Sequence, residues 1–131
     1  MIVVDASVLA TALGDDQADG CHARGELSAA AELAGPDLVD VETVAVLRKR
    51  WLAGTLTARR FAAAVSDLGD VPLTRYPTLP FMRRAYELRS TVTAYDATYV
   101  ALAEALDCAL LTADERLSRA PGIRCSVRLL R

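Results

Sequence analysis

With 131 residues, 53% of them apolar and only 5% aromatic, the chain has the length of one ordinary domain, and its interior must be filled by Ala, Val and Leu. No apolar stretch reaches the roughly 18 residues of a membrane span, and Met1 passes straight into Ile2-Val3-Val4 without a basic secretory leader, so a soluble cytoplasmic protein is expected. The formal charge of -2 excludes neither nucleic acid nor protein partners, although all of the 15 cations except Lys49 are Arg, the better bidentate partner for phosphate.

Ile2-Val3-Val4 is a short β-branched run of the kind buried on both faces of a parallel sheet, and Asp5 ends it. Ala6 to Ala10 open a helix that Gly14 is expected to close in a left-handed C′ position. A second helix is expected over about 18–34, weakened by Gly25 and stopped by Gly35-Pro36. It carries Cys21 and the lone histidine, His22, read as a surface residue. With Cys108 and Cys125, the cysteines lack C-x-x-C spacing, so neither a disulfide framework nor a zinc site is indicated, and small buried thiols are expected. Asp37-Leu38-Val39 is expected as a brief strand, with Asp40 as N-cap of the next helix. That helix shows a stripe of Val41, Val44, Leu47 and Trp51, holds Glu42 in its first turn, turns Arg48, Lys49 and Arg50 partly outward, and ends at Gly54.

Thr57 caps a further helix with Phe61, Ala64, Val65 and Leu68 inward and Arg59 and Arg60 on its exposed side, closed by Gly69. Val71 to Thr74 reads as a strand that Pro72 confines to an edge, followed by a helix over about 79–89. The richest stretch comes next. Asp96 stands at the start of an Ala-rich helix running from Tyr95 to about Leu106; an apolar strand, Cys108 to Leu111, then leads into Thr112-Ala113-Asp114. A short helical turn stopped by Pro121-Gly122 and a last strand, Cys125 to Leu129, complete the chain. Alternating strands and helices without hairpin signals predict one α/β domain over 1–131, with a short, mostly parallel sheet between helices.

Asp5, Glu42, Asp96 and Asp114 occupy equivalent places, either just after a strand or in the first turn of a helix. Any one of them is explained by the macrodipole, which favours acids at helix starts by about 0.3–1 kcal/mol. Four together are harder to explain that way, because right-handed crossovers bring those places to one edge of the sheet, where like charges call for a cation. An all-oxygen set suits Mg²⁺ or Mn²⁺ rather than zinc, and such ions promote phosphodiester hydrolysis. Ser7 and Thr112 can add hydroxyl contacts, and Arg116 and Arg119, close behind Asp114, are candidates for phosphate. Tyr95 and Tyr99 are candidates for base stacking, Tyr99 being the better core residue. A phosphorylated receiver would need an acidic pair and a late strand-end Lys, a dehalogenase-type phosphatase D-x-D, and a nucleotide fold a Gly-rich fingerprint; none is present.

The runs Ile2-Val3-Val4-Asp5-Ala6-Ser7, Asp40-Val41-Glu42, Tyr95-Asp96-Ala97 and Leu111-Thr112-Ala113-Asp114 resemble a PIN-domain ribonuclease and, within that family, the VapC toxins of bacterial type II toxin–antitoxin systems. The resemblance spans essentially the whole chain. It implies a PIN-like α/β/α sandwich, metal-binding acids at Asp5, Glu42, Asp96 and Asp114 and a supporting hydroxyl at Thr112. It further implies Mg²⁺- or Mn²⁺-dependent endonucleolytic cleavage of RNA, homodimerisation and inhibition by a small VapB-type antitoxin that lays its C-terminal segment over the groove. A PIN nuclease of RNA processing or DNA repair without an antitoxin, and a catalytically idle PIN-like binding module, are the alternatives.

Overall fold

The computed structural model describes all 131 residues. Five strands, β1 (Ile2–Val4), β2 (Leu33–Pro36), β3 (Leu73–Tyr76), β4 (Ala109–Thr112) and β5 (Val127–Leu129), form one sheet in the order β3-β2-β1-β4-β5. Every pairing is parallel, with Ile2 opposite both Leu33 and Ala109. Helices α1 (Ala6–Gly14), α2 (Ala18–Ala29), α3 (Leu38–Leu52), α4 (Ala58–Leu68), α5 (Met82–Glu87), α6 (Ala94–Ala105) and α7 (Glu115–Arg119) fill the connections, as parallel strands require. Helix α1 gathers α2, α3 and α4 around it, while α6 lies against β1, β2 and β4 with α5 packed on it. The expected α/β/α sandwich is what the chain forms.

Central β1 is buried along its whole length, as its unbroken Ile-Val-Val run requires, and Val3, Val8, Leu9, Tyr99, Leu102, Leu110 and Leu111 make the interior around it. Burying each such aliphatic side chain is worth roughly 1.5–3 kcal/mol. Because successive strands step from β1 to β2 and β3 on one side, and the chain later returns to place β4 on the other, connections diverge between β1 and β4. A crevice opens there beyond the strands' carboxyl ends.

Several local expectations need correction. The second helix stops at Ala29, and the strand expected at Asp37-Leu38-Val39 lies earlier, at Leu33–Pro36, where it is paired on both sides. Asp37, not Asp40, precedes α3; Asp40 instead takes a two-pronged ion pair from Arg75 of β3 at 2.7 and 3.0 Å. The buried face of α3 is Val39, Thr43 and Leu47, leaving Val41 and Trp51 exposed. On α4, Val65 is likewise exposed, and Arg60 is tucked inward to bond Asp16 and the Leu13 carbonyl. Gly14 is an ordinary helical residue: a Cβ there would stand 2.9 Å from Leu47 Cδ2, so close packing of α1 on α3 selects it. Gly54, at φ +81, does close α3 in the left-handed region. Cys21 is exposed and Cys108 and Cys125 half-buried, all free thiols, and His22 is exposed as expected.

Candidate active site

Asp5 leaves β1 at the crevice. Its backbone prolongs the ladder, the N–H donating to the Leu111 carbonyl at 2.9 Å, and its carbonyl accepts the first bonds of α1 from Val8 and Leu9. Its carboxylate does not cap that helix. Instead, though only 9% exposed, the side chain is held across the crevice: Thr112 Oγ1 donates to Oδ2 at 2.6 Å and Ser7 Oγ donates to the same oxygen at 3.1 Å. Thr112 Oγ1 in turn accepts from the Asp114 N–H at 3.1 Å, and Ser7 Oγ from the Ala113 N–H at 3.4 Å. The two hydroxyls singled out by sequence therefore lock the end of β4 to the end of β1.

Asp96 is also free of capping duty, because Thr93 Oγ1 accepts the Asp96 N–H at 3.2 Å and serves as N-cap of α6. Burial, and then the charges of Asp5 and Asp114, raise its carboxyl above the usual range. Glu42, one turn into α3, is pushed up to about 7, chiefly by burial and then by Asp5, with Asp96 adding to it. The neighbouring Tyr99 hydroxyl opposes that rise, yet Glu42 Oε1 and Tyr99 Oη are both buried without a hydrogen-bond partner. The Tyr99 hydroxyl is itself raised by burial and by Glu42 and Asp5. Asp114 is the exception. Its Oδ1 accepts the Arg116 N–H at 2.9 Å as N-cap of α7, and the Arg116 guanidinium stands 3.4 Å away.

Asp5 and Asp114 thus act on Asp96, and Asp5 and Asp96 on Glu42, but no three acids are drawn together into a preformed cation cage. The donor set fits a hard divalent cation: carboxylates and hydroxyls only, with a buried Glu42 oxygen lacking any proton donor. Beside Asp96 and Asp114 lies a groove of about 170 Å³ walled by Thr91, Val92, Thr93, Arg116 and Leu117. Arg116 is 92% exposed and Arg119 78%, the latter 3.6 Å from Glu115. Arg50 and Arg60 lie in another cavity, at the far end of α1, where Arg50 bonds Thr11. Sequence reasoning missed Thr93, which a Ser/Thr two residues before an Ala-rich run could have flagged, and the placement of Tyr99 against Glu42, which only the folded chain reveals.

The PIN domain family model matches residues 2–123 of the chain. The chain belongs to the PIN-domain family. Ribonuclease VapC9 of Mycobacterium tuberculosis (strain ATCC 25618 / H37Rv) is 43% identical over 99% of this PIN-domain chain and 98% of its own length. The crystal structure of M. tuberculosis VapC20, described as a toxin cleaving the sarcin–ricin loop, superposes with a TM-score of 0.73 at 18% identity, covering 95% of this chain and 97% of that one. VapBC2 of Rickettsia felis, bound to a fragment of its promoter DNA, gives a TM-score of 0.71 at 15% identity over the full length of both chains. At those identities the two structures speak for the PIN fold, and VapC9 for a VapC-type member.

Proposed function

We propose that this protein is a Mg²⁺- or Mn²⁺-dependent endoribonuclease toxin, acting in the cytoplasm as a homodimer and held inactive by a VapB-type antitoxin. The observation that carries the reading is that Asp5, Glu42 and Asp96 cap no helix. Asp5 is aimed by two hydroxyls, while Glu42 and Asp96 are raised by burial and by neighbouring acids. A helix start that merely wanted negative charge would not bury three mutually repelling carboxylates. The name ribonuclease carried by VapC9, and the toxin–antitoxin complex among the structural relatives, support the substrate and the partner.

In this reading Asp5, Glu42, Asp96 and Asp114 would hold the cation, with Thr112 and Ser7 fixing the orientation of the Asp5 carboxylate. A divalent cation at this site would supply positive charge beside the phosphate oxygens and would polarise an attacking water. Cation binding would favour the ionised form of Glu42. Arg116 is free to leave Asp114 for an incoming phosphate, with Arg119 one turn further along α7. An antitoxin that lays a cationic side chain against the same acids blocks both cation and substrate.

The test is incubation of the purified protein with structured RNA in Mg²⁺ or Mn²⁺, which should yield discrete fragments, lost in EDTA. Asp96→Asn should abolish them while leaving the thermal midpoint near that of the parent. Equal cleavage by that variant would falsify the assignment of the site.

A further inference from the structure

We infer that Tyr95 is the residue on which RNA stacks beside the cut, its ring taking the face of the base that adjoins the scissile phosphate and thereby setting substrate affinity and cleavage position. The inference rests on the nuclease reading above and adds a residue to it.

Aromatic side chains are scarce in this chain, with one Trp, four Tyr and two Phe, and the fold employs nearly all of them. Trp51 and Phe61 meet at a tilt with ring centroids 6.2 Å apart, Tyr76 and Phe81 pack against the core, and Tyr99 is buried. Tyr86 is exposed, but the Arg89 guanidinium covers its ring at 4.0 Å. Tyr95 alone stands 64% exposed without a ring or cation upon it.

Its position decides its use. Tyr95 lies in the first turn of α6, next to Asp96. Residues four apart share one face of a helix, and the buried hydroxyl of Tyr99, four residues on, feels the charges of Glu42 and Asp5. Tyr95 therefore precedes Tyr99 by one turn on that face of α6, whereas Arg116 lines the groove beside Asp96 and Asp114. A phosphate held at the acids would have a cation to one side and a bare aromatic face to the other. An RNA strand offers the matching pair, an anionic backbone and an unpaired base.

The test uses a single-stranded RNA 12-mer carrying 2-aminopurine at successive positions, in Ca²⁺ for binding and in Mg²⁺ or Mn²⁺ for cleavage. Binding to the parent protein and to Tyr95→Phe or Tyr95→Trp should quench the probe at one or two positions. Tyr95→Ala should abolish that quench, weaken binding about tenfold and raise KM far more than it lowers kcat, with an unchanged thermal midpoint. Cleavage by Tyr95→Ala should also spread to neighbouring positions. If that variant quenches and binds like the parent, the inference is overturned even where cleavage proceeds normally. If the parent binds and quenches but never cleaves, the nuclease reading fails and with it the role of Tyr95 in setting the cleavage position. If the parent binds no RNA, both fall.

Discussion

Asp5 and Asp114 both end strands and both precede helices, yet only Asp114 caps the helix behind it. The difference lies in Thr112, whose hydroxyl donates to the Asp5 carboxylate and accepts from the Asp114 backbone. Replacing it with Val leaves a buried carboxylate oxygen short of its nearest donor. That should cost about 1–3 kcal/mol of stability together with most RNA cleavage, whereas Thr112→Ser should keep both; urea unfolding beside a cleavage assay separates them. Glu42 carries a second prediction. Its folded-state pKa of about 7 lies above the ordinary glutamate value of 4.5, so the folded chain keeps a proton that the unfolded chain has released. Between those values the cation-free protein should lose stability as pH rises, and it should remain at the lower level above about 7. Allowing for solvent screening at a half-buried group, the fall is on the order of 1–2 kcal/mol, with Asp96 adding in the same direction. Denaturant melts in EDTA should show the slope, and Glu42→Gln should flatten most of it. A rise across that window would contradict burial as the main cause.

Helix α6 shows how one cap can serve both fold and site. Thr93 ends the orphaned start of the helix by accepting from Asp96 itself, so Thr93→Ala should cost about 1 kcal/mol and fray the turn that presents the carboxylate. Cation affinity, read by calorimetry, should fall while the rest of the fold persists, and Thr93→Ser should recover it. This helix and β4 were legible in the sequence because an Ala-rich run and a short apolar run follow each other with clear stops. β2 was not: Leu33-Ala34-Gly35-Pro36 contains no β-branched residue and continues the composition of the helix before it. Pairing with β1 and β3 makes it a strand, tertiary context overriding propensity. α3 misled for a different reason, since apolar residues surround it and one of its most buried positions is Thr43. Asp5, Asp96 and Asp114 could be found because each follows a strand or opens a helix, which the sequence marks, whereas Glu42 lies one turn inside α3, whose start the sequence sets too late, at Asp40. What Tyr99 meets, and which acids act as caps, depends on contacts between distant elements that no local pattern records.

The acids come from β1, α3, α6 and the end of β4, so the candidate site is a property of the whole sheet and both helical layers. A cation that binds the folded chain alone should stabilise all of it. At a hundredfold excess over Kd the gain is about 2.7 kcal/mol, on the order of 10 °C in thermal midpoint for a chain of this size. Differential scanning with Mn²⁺ should show that shift in the parent and none in a variant carrying both Asp96→Asn and Asp114→Asn. The bond that aligns Asp5 spans 107 positions, from the first strand to the fourth. A growing polypeptide on the ribosome therefore displays Asp5 and Glu42 well before Asp96, Thr112 and Asp114 emerge to complete the arrangement. The centre proposed here can thus be assembled only when the chain is almost finished.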